Sequence, residues 1–236
     1  MSTWKTSTAG LLISLAVGLP GAAAAADTGA AGATTYQPPL RGAPSSRIGG
    51  GTRSAKAARL ALEVVAPDHT GLTTAAQPTL YWYASEPVSA PLEFTLLAAD
   101  AEKPLVERRL PAGQGAGIQP VALSSMGVSL KPGTEYQWFV SVVSDPSQRS
   151  RDVTAGGTIR RAEPDTQLRA QLAKAGERSA PGVYAQAGYF YDAMDGISKL
   201  IARNPGDSAL RAERAALLEQ VGLSKVAAGD RAGAGQ

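Results

Sequence analysis

Residues 130–145, LKPGTEYQWFVSVVSD, constrain the fold of this 236-residue chain more than any other stretch. Residues 131–134 are predicted to form a turn, because Pro132 presets φ and Gly133 tolerates a positive φ. After the turn every second side chain is large and mostly apolar: Tyr136, Trp138, Val140 and Val142. This period of two is typical of a β-strand with one buried face. The stretch therefore predicts a central strand of a β-sandwich.

Six further strand signals, separated by turn residues, lie between residues 57 and 162. They contain, in chain order, Leu60, Leu80, Phe94, Val106, Ile118 and Val153. Short strands at such intervals are typical of a sandwich. We therefore expect residues 57–162 to form a seven-stranded antiparallel β-sandwich domain of the fibronectin or immunoglobulin type. Two glycines in the last segment, Gly156 and Gly157, indicate a β-bulge.

The turn before the central strand has a specific spacing. Leu130, Pro132 and Tyr136 are placed as in the tyrosine corner of fibronectin type III domains, to which this part of the chain is similar. In that arrangement the tyrosine hydroxyl bonds to the backbone a few residues upstream. Tyr136 is thus predicted to be a buried, structural residue.

Beyond residue 162 the apolar period changes from two to 3.6, which indicates helices. We expect two to three helices over 163–224, packed on the sandwich, with one long helix over 183–203. Gly188 and Gly222 are 34 residues apart, a register similar to that of a tetratricopeptide repeat, although only one hairpin is present. Residues 225–236 are rich in Ala, Gly and charge, and they are predicted to be a disordered tail.

The N-terminus has the pattern of an export signal. Residues 1–26 combine Lys5, an apolar run and a small-residue site at Ala24 to Ala26, as in a cleaved secretory signal peptide. This pattern predicts a periplasmic or secreted protein with no membrane span after cleavage.

Residues 27–56 are rich in Gly, Ala and Pro and are expected to be flexible. Within them Arg41, Arg47 and Arg53 surround a triple glycine, which makes these arginines a candidate anion contact. The alternative is a linker, or a segment that packs on the edge of the sandwich, because no phosphate-loop pattern follows.

Composition excludes several classes of function. The chain has no Cys and one His, His69, so it lacks disulfides, cysteine nucleophiles and multi-histidine metal sites. Its 23 basic and 20 acidic residues are too balanced for a dedicated nucleic-acid binder. His69 lies in a polar turn without a G-x-S-x-G motif and is interpreted as a solvated loop histidine. We therefore predict no catalytic residue, no metal and no cofactor, in a protein that is not an enzyme.

Two surfaces remain as candidate binding sites. Tyr189 and Asp192 lie on the helical hairpin over 183–223 and are candidate contacts for a protein partner. The alternative surface is a sheet face with Tyr81, Tyr83 and Phe139, on strands expected to be neighbours, where the rings would stack on carbohydrate or another envelope polymer. If the C-terminal helices cover this sheet face, the three rings cannot contact carbohydrate. We expect the helices to cover it.

Three blocks of sequence together carry a family resemblance. They are RGAPSSRIGGGTR at 41–53, the strands at 78–96 with 136–150, and the helical stretch 184–223 that begins YAQAGYFYDAMDG. In this order the blocks resemble the bacterial family catalogued as domain of unknown function 928. The resemblance implies a small exported protein with a sandwich and a helical tail, and it implies no catalytic residues. The expected function is a non-catalytic protein–protein interaction or scaffolding module of the cell envelope; the alternative is carbohydrate or envelope-polymer binding.

Overall fold

A computed structural model describes Met1 and residues 34–39, 47–49 and 60–232. The described residues from Thr34 onward belong to one structural unit. Apart from Met1, the predicted signal peptide lies outside the described residues, as do Arg41 and Arg53.

In the part of the chain that the structure describes, eight strands form two sheets. They are β1 (Leu62–Val64), β2 (Gly71–Thr73), β3 (Thr79–Ala84), β4 (Leu92–Ala98), β5 (Val106–Arg109), β6 (Gly117–Ala122), β7 (Glu135–Val142) and β8 (Val153–Arg161). One sheet has the order β1-β3-β6 and the other has the order β2-β8-β7-β4-β5. The seven predicted strands are all present, and β7 has the central position expected for it.

The prediction of a purely antiparallel seven-stranded sandwich is wrong in one respect. The additional strand β2 pairs in parallel with β8, with Leu72 opposite Arg160, so the five-stranded sheet is mixed. The sequence does not predict β2, because a strand of three residues is too short to show a period of two. In addition, a glycine such as Gly71 usually indicates a turn. The position of β2 depends instead on packing against the helical segment. Gly71 lies so close to the Tyr191 ring of that segment that a Cβ at Gly71 would collide with it.

The two sheets contribute to one buried core, which contains both tryptophans of the described strands, Trp82 and Trp138. Trp138 packs on Phe94 with ring centroids 6.3 Å apart. The tyrosine corner is confirmed, because the Lys131 backbone N–H donates to Tyr136 Oη at 3.1 Å. This bond fixes the turn against the first residues of β7.

The bulge predicted at Gly156 and Gly157 is absent. The register of β7 and β8 is continuous, with Phe139 opposite Gly156 and Trp138 opposite Gly157. A Cβ at Gly156 would collide with the Phe139 ring. The glycine therefore provides space for a ring that lies across the neighbouring strand, which is another common reason for glycine inside a strand.

Over the described range up to residue 232, five helices follow the sheets, instead of the two or three expected. They are α1 (Thr166–Lys174), α2 (Ala180–Gln186), α3 (Phe190–Arg203), α4 (Ser208–Gln220) and α5 (Ser224–Ala232). The single helix predicted over 183–203 is broken by Gly188, whose φ of +83° belongs to the left-handed region. A Cβ at Gly188 would also approach the Gln37 carbonyl oxygen to 3.0 Å.

The tail predicted to be disordered from residue 225 forms α5 over its described part. Val226 and Ala227 are fully buried, and Asp230 makes a buried ion pair with Arg214 of α4. Alanine-rich composition is compatible with a helix that has a partner surface, and α4 provides that surface.

Helices α3 and α5 cover one face of the three-stranded sheet. Tyr81 Oη donates to Asp195 of α3 at 3.0 Å, and Tyr83 lies against Gly229 of α5. Tyr191 of α3 reaches the core itself, where its hydroxyl donates to Thr158 O at 2.9 Å. Helices and sheets therefore share one core.

Candidate functional site

A cleft of about 400 Å³ lies beside β2, α1 and the junction between α2 and α3. Four glutamine side chains line it: Gln37, Gln167, Gln171 and Gln186. Below them lie Leu72, Leu168 and Tyr189, which form a small buried apolar cluster. We call this feature the glutamine cleft.

The cap of α1 positions one wall of the glutamine cleft. Asp165 is the N-cap residue, and its carboxylate accepts the Leu168 N–H at 2.7 Å. With the helix start fixed, Gln167 and Gln171 are four positions apart and lie on the same face. The same cap directs Leu168 into the protein, where it is almost fully buried.

The helix break at Gly188 positions the opposite wall. The positive φ of Gly188 leaves Gln186 and Ala187 exposed at the end of α2 and turns Tyr189 inward. Tyr189 Oη donates to the Glu163 carbonyl at 3.1 Å, which fixes the ring at the base of the glutamine cleft. Burial raises the pKa of this hydroxyl, so it remains a neutral donor.

The chemistry of the glutamine cleft is neutral and amide-based. Among the residues that the structure describes, the four glutamine side chains have no hydrogen-bond partner. Each can donate and accept at once, as a peptide group does. The arrangement suits a ligand with donors and acceptors along its length and an apolar group for the base of the cleft.

Of the two predicted partner contacts, only one belongs to the lining of the glutamine cleft. Tyr189 lines the glutamine cleft with a side chain that is only 8% exposed. Asp192 lies behind it and accepts hydrogen bonds from both the N–H and the hydroxyl of Thr74. Desolvation by burial raises the pKa of the Asp192 carboxyl. Asp192 is half-buried, and its hydrogen bonds tie α3 to the end of β2.

The three rings of the alternative carbohydrate surface do not share a face. Tyr81 and Tyr83 belong to β3 in the three-stranded sheet, whereas Phe139 belongs to β7 in the other sheet, so the expectation of neighbouring strands is wrong. Tyr81 and Tyr83 are buried beneath helices, and burial raises the pKa of the Tyr81 hydroxyl. Phe139 alone is partly exposed. The rings therefore form no common stacking platform.

Of the three candidate anion contacts, the structure describes only Arg47. Its guanidinium donates to the carbonyl oxygens of Ala66 at 3.0 Å and Val221 at 2.9 Å. The next residue, Ile48, exchanges two backbone hydrogen bonds with Gly156 of β8. Residues 47–49 therefore pack on a sheet edge, the alternative raised for this segment, and Arg47 binds carbonyl groups of its own chain.

His69 is not a solvated loop histidine. Its Nε2 lies 2.8 Å from Tyr36 Oη, and its Nδ1 lies 3.1 Å from the Asp68 carboxylate. Sequence reasoning missed Tyr36 and the four glutamines altogether. One feature of the sequence could have indicated that Tyr36 is buried: it is the only aromatic residue within 27–56.

Over the described ranges, no group of three or more His, Asp or Glu side chains is placed to hold a metal ion. None of the described helices is long and apolar enough to cross a membrane. No curated protein matches the chain. The family model described as Domain of Unknown Function (DUF928) matches residues 48–230, which include every strand and almost all of the helical segment. The chain therefore belongs to the DUF928 family.

Proposed function

We propose that this protein is a non-catalytic interaction or scaffolding module of the cell envelope, exported by a cleaved signal peptide at residues 1–26. It acts in the periplasm or outside the cell, and its partner is an envelope or secreted protein. The glutamine cleft binds an extended segment of that partner. The composition of residues 1–26 supports export, and the chemistry of the glutamine cleft supports a peptide ligand.

The observation that carries this proposal is a contact inside the chain itself. Gln220 binds extended backbone with both ends of its amide: Oε1 accepts the Tyr36 N–H at 2.7 Å, and Nε2 donates to the Thr34 carbonyl at 2.8 Å. One glutamine thus replaces the neighbouring strand that extended backbone would otherwise need. The glutamine cleft presents four such amides on its walls.

The size and charge of the glutamine cleft fit the same ligand. Its volume of about 400 Å³ lies near the lower end of the range for ligand sites, about 300–1,000 Å³. The one carboxylate in the lining, Asp165, is engaged as a helix cap. Recognition therefore depends on hydrogen bonds and the apolar base, and we expect binding to change little with ionic strength.

Site-specific photocrosslinking in the envelope tests the proposal. A photoreactive amino acid at Gln171 should give one discrete adduct, whose mapped site on the partner is a single extended segment. The same group at Gln137, an exposed glutamine on β7, is the matched control and should not give that adduct. Equal labelling from both positions, or no adduct from Gln171, would contradict the proposal.

A second measurement shows whether the crosslinked segment binds the glutamine cleft or only lies near it. A synthetic peptide of the mapped segment should bind the purified protein, and the double change Gln167→Ala with Gln171→Ala should weaken it about tenfold or more, since two amide contacts are lost. Gln137→Ala should leave the affinity unchanged. An affinity that falls steeply with salt would indicate a charged ligand surface elsewhere.

A further inference from the structure

Residues 34–37, here called the arm, lie on the helices in the manner of a bound peptide. Within the described part of the chain, their backbone bonds to two helices: the Gln220 side chain binds the Tyr36 N–H and the Thr34 carbonyl, and the Gln37 N–H donates to the Ala185 carbonyl at 3.1 Å. Thr34 and Tyr36 are buried, whereas Thr35 and Gln37 are exposed. This alternation is that of an extended strand with one face against a partner.

Tyr36 is the anchor of the arm. Only 6% of its surface is exposed. Its ring stacks on His69 at 5.8 Å and meets Phe190 of α3 edge-on at 5.5 Å. Its hydroxyl is hydrogen-bonded to His69 Nε2 at 2.8 Å, and burial together with the nearby Asp68 raises its pKa. An aromatic anchor in a pocket, with backbone bonds on either side, is how extended peptides are recognised.

The partners of the arm are distant from it in the chain. His69 is 33 positions from Tyr36, and Gln220 is 184 positions from it. The groove is thus built by α2, α3, α4 and His69, and none of these contacts requires the arm to belong to the same molecule. An identical segment from another molecule could therefore make the same hydrogen bonds and ring contacts.

We propose that this groove is a binding site for an extended, tyrosine-bearing segment, and that a second copy of this chain supplies that segment in exchange for the chain's own arm. Exchange of an identical element conserves every contact, so it needs little free energy. The resident arm competes at an effective concentration on the millimolar scale. The exchanged form is therefore expected to increase with protein concentration. This inference does not depend on a ligand in the glutamine cleft.

The first test opens the groove in the full chain. Tyr36→Ala removes the anchor of the resident arm, and a fluorescent peptide with the sequence of residues 33–39, ATTYQPP, is the probe. The peptide should bind the variant about tenfold or more tightly than it binds the wild-type chain, because the competing arm is weakened. The same peptide with alanine in place of its tyrosine should not bind.

A second substitution identifies the groove. Gln220→Ala, added to Tyr36→Ala, removes the two backbone contacts and should weaken the peptide about tenfold. Gln137→Ala on the same background should leave the affinity unchanged, because Gln137 lies exposed on β7. Equal peptide binding by all these variants, or none by a folded Tyr36→Ala chain, would overturn the proposal.

Subunit exchange tests whether a second copy of the chain supplies the arm. It uses the wild-type sequence, so the result stands even if Tyr36→Ala does not fold. Wild-type chains labelled separately with a donor and an acceptor dye are mixed at rising concentration. Energy transfer should increase with concentration and should be suppressed by an excess of unlabelled peptide. Absence of transfer at high concentration, or transfer that the peptide does not reduce, would refute exchange through the arm.

Discussion

Asp230→Ala should destabilise the helical segment strongly, because it leaves a buried guanidinium without its counter-charge. Arg214 and Asp230 are only 7% and 6% exposed, and they form a two-fold hydrogen-bonded pair, with Nε and Nη2 each donating to one carboxylate oxygen. After the substitution Arg214 retains one side-chain partner, Ser198, at 3.1 Å. Nothing else in α5 can neutralise the guanidinium in place of the carboxylate.

The magnitude follows from that geometry. Removal of one partner of a buried ion pair costs about 3–5 kcal/mol, most of it the desolvation of the charge that remains. The next residue provides a matched control: Arg231 pairs with Glu219 at 2.7 Å, but both side chains are nearly half exposed. Arg231→Ala should therefore cost no more than about 1 kcal/mol.

Urea unfolding followed by tryptophan fluorescence measures both changes, because Trp82 and Trp138 are buried in the shared core. Hydrogen exchange of the α5 amides shows whether α5 detaches first, which would expose the buried Tyr83. A difference of less than about 1 kcal/mol in unfolding free energy between Asp230→Ala and Arg231→Ala, with α5 equally protected in both, would contradict the role assigned to the buried pair.

Three further perturbations test other parts of the fold. Tyr136→Phe removes only a hydrogen bond and should cost about 1 kcal/mol, whereas Tyr136→Ala should cost about 3–5 kcal/mol in urea unfolding. Gly156→Ala should cost about 1–3 kcal/mol, and Phe139→Leu in the same chain should recover part of it in a double-mutant cycle. Burial raises the folded-state pKa of Asp192 above the unfolded value of about 3.9. The wild-type chain therefore loses this group's stabilisation as the pH rises from about 4, and Asp192→Asn should flatten that loss in urea titrations at several pH values.

The strands were predictable because their signal is local. Trp138 and its alternate neighbours repeat with a period of two, and the turn chemistry of Pro132 and Gly133 precedes them. The Tyr136 corner was predictable for the same reason, since its hydroxyl partner is the Lys131 N–H, five positions away. The three-residue β2 carries no such period, and its pairing partner Arg160 is distant in the chain.

The helical segment shows where local signals mislead. Apolar spacing over 183–203 is helical throughout, yet Gly188 adopts a positive φ and divides it, because the Gln37 backbone passes at that position. The composition of α5 indicated disorder, and the buried pair of Asp230 with Arg214 is invisible in a pattern of Ala and Gly. Propensity is a weak prior that tertiary contacts override.

The candidate site depended on tertiary structure almost entirely. The helical pattern points to Tyr189, which does line the glutamine cleft. The walls of the cleft come from α1, α2 and the arm, and no spacing in the sequence indicates that these three segments meet. The contact between Tyr36 and Gln220 joins residues 184 positions apart. Alternating apolar residues and turn residues depend on the conformation of residues that are close in the chain. The strands and the tyrosine corner could therefore be predicted from the sequence. Which sheet a strand joins, and which glutamine meets which backbone, depends on how the whole chain closes around its core.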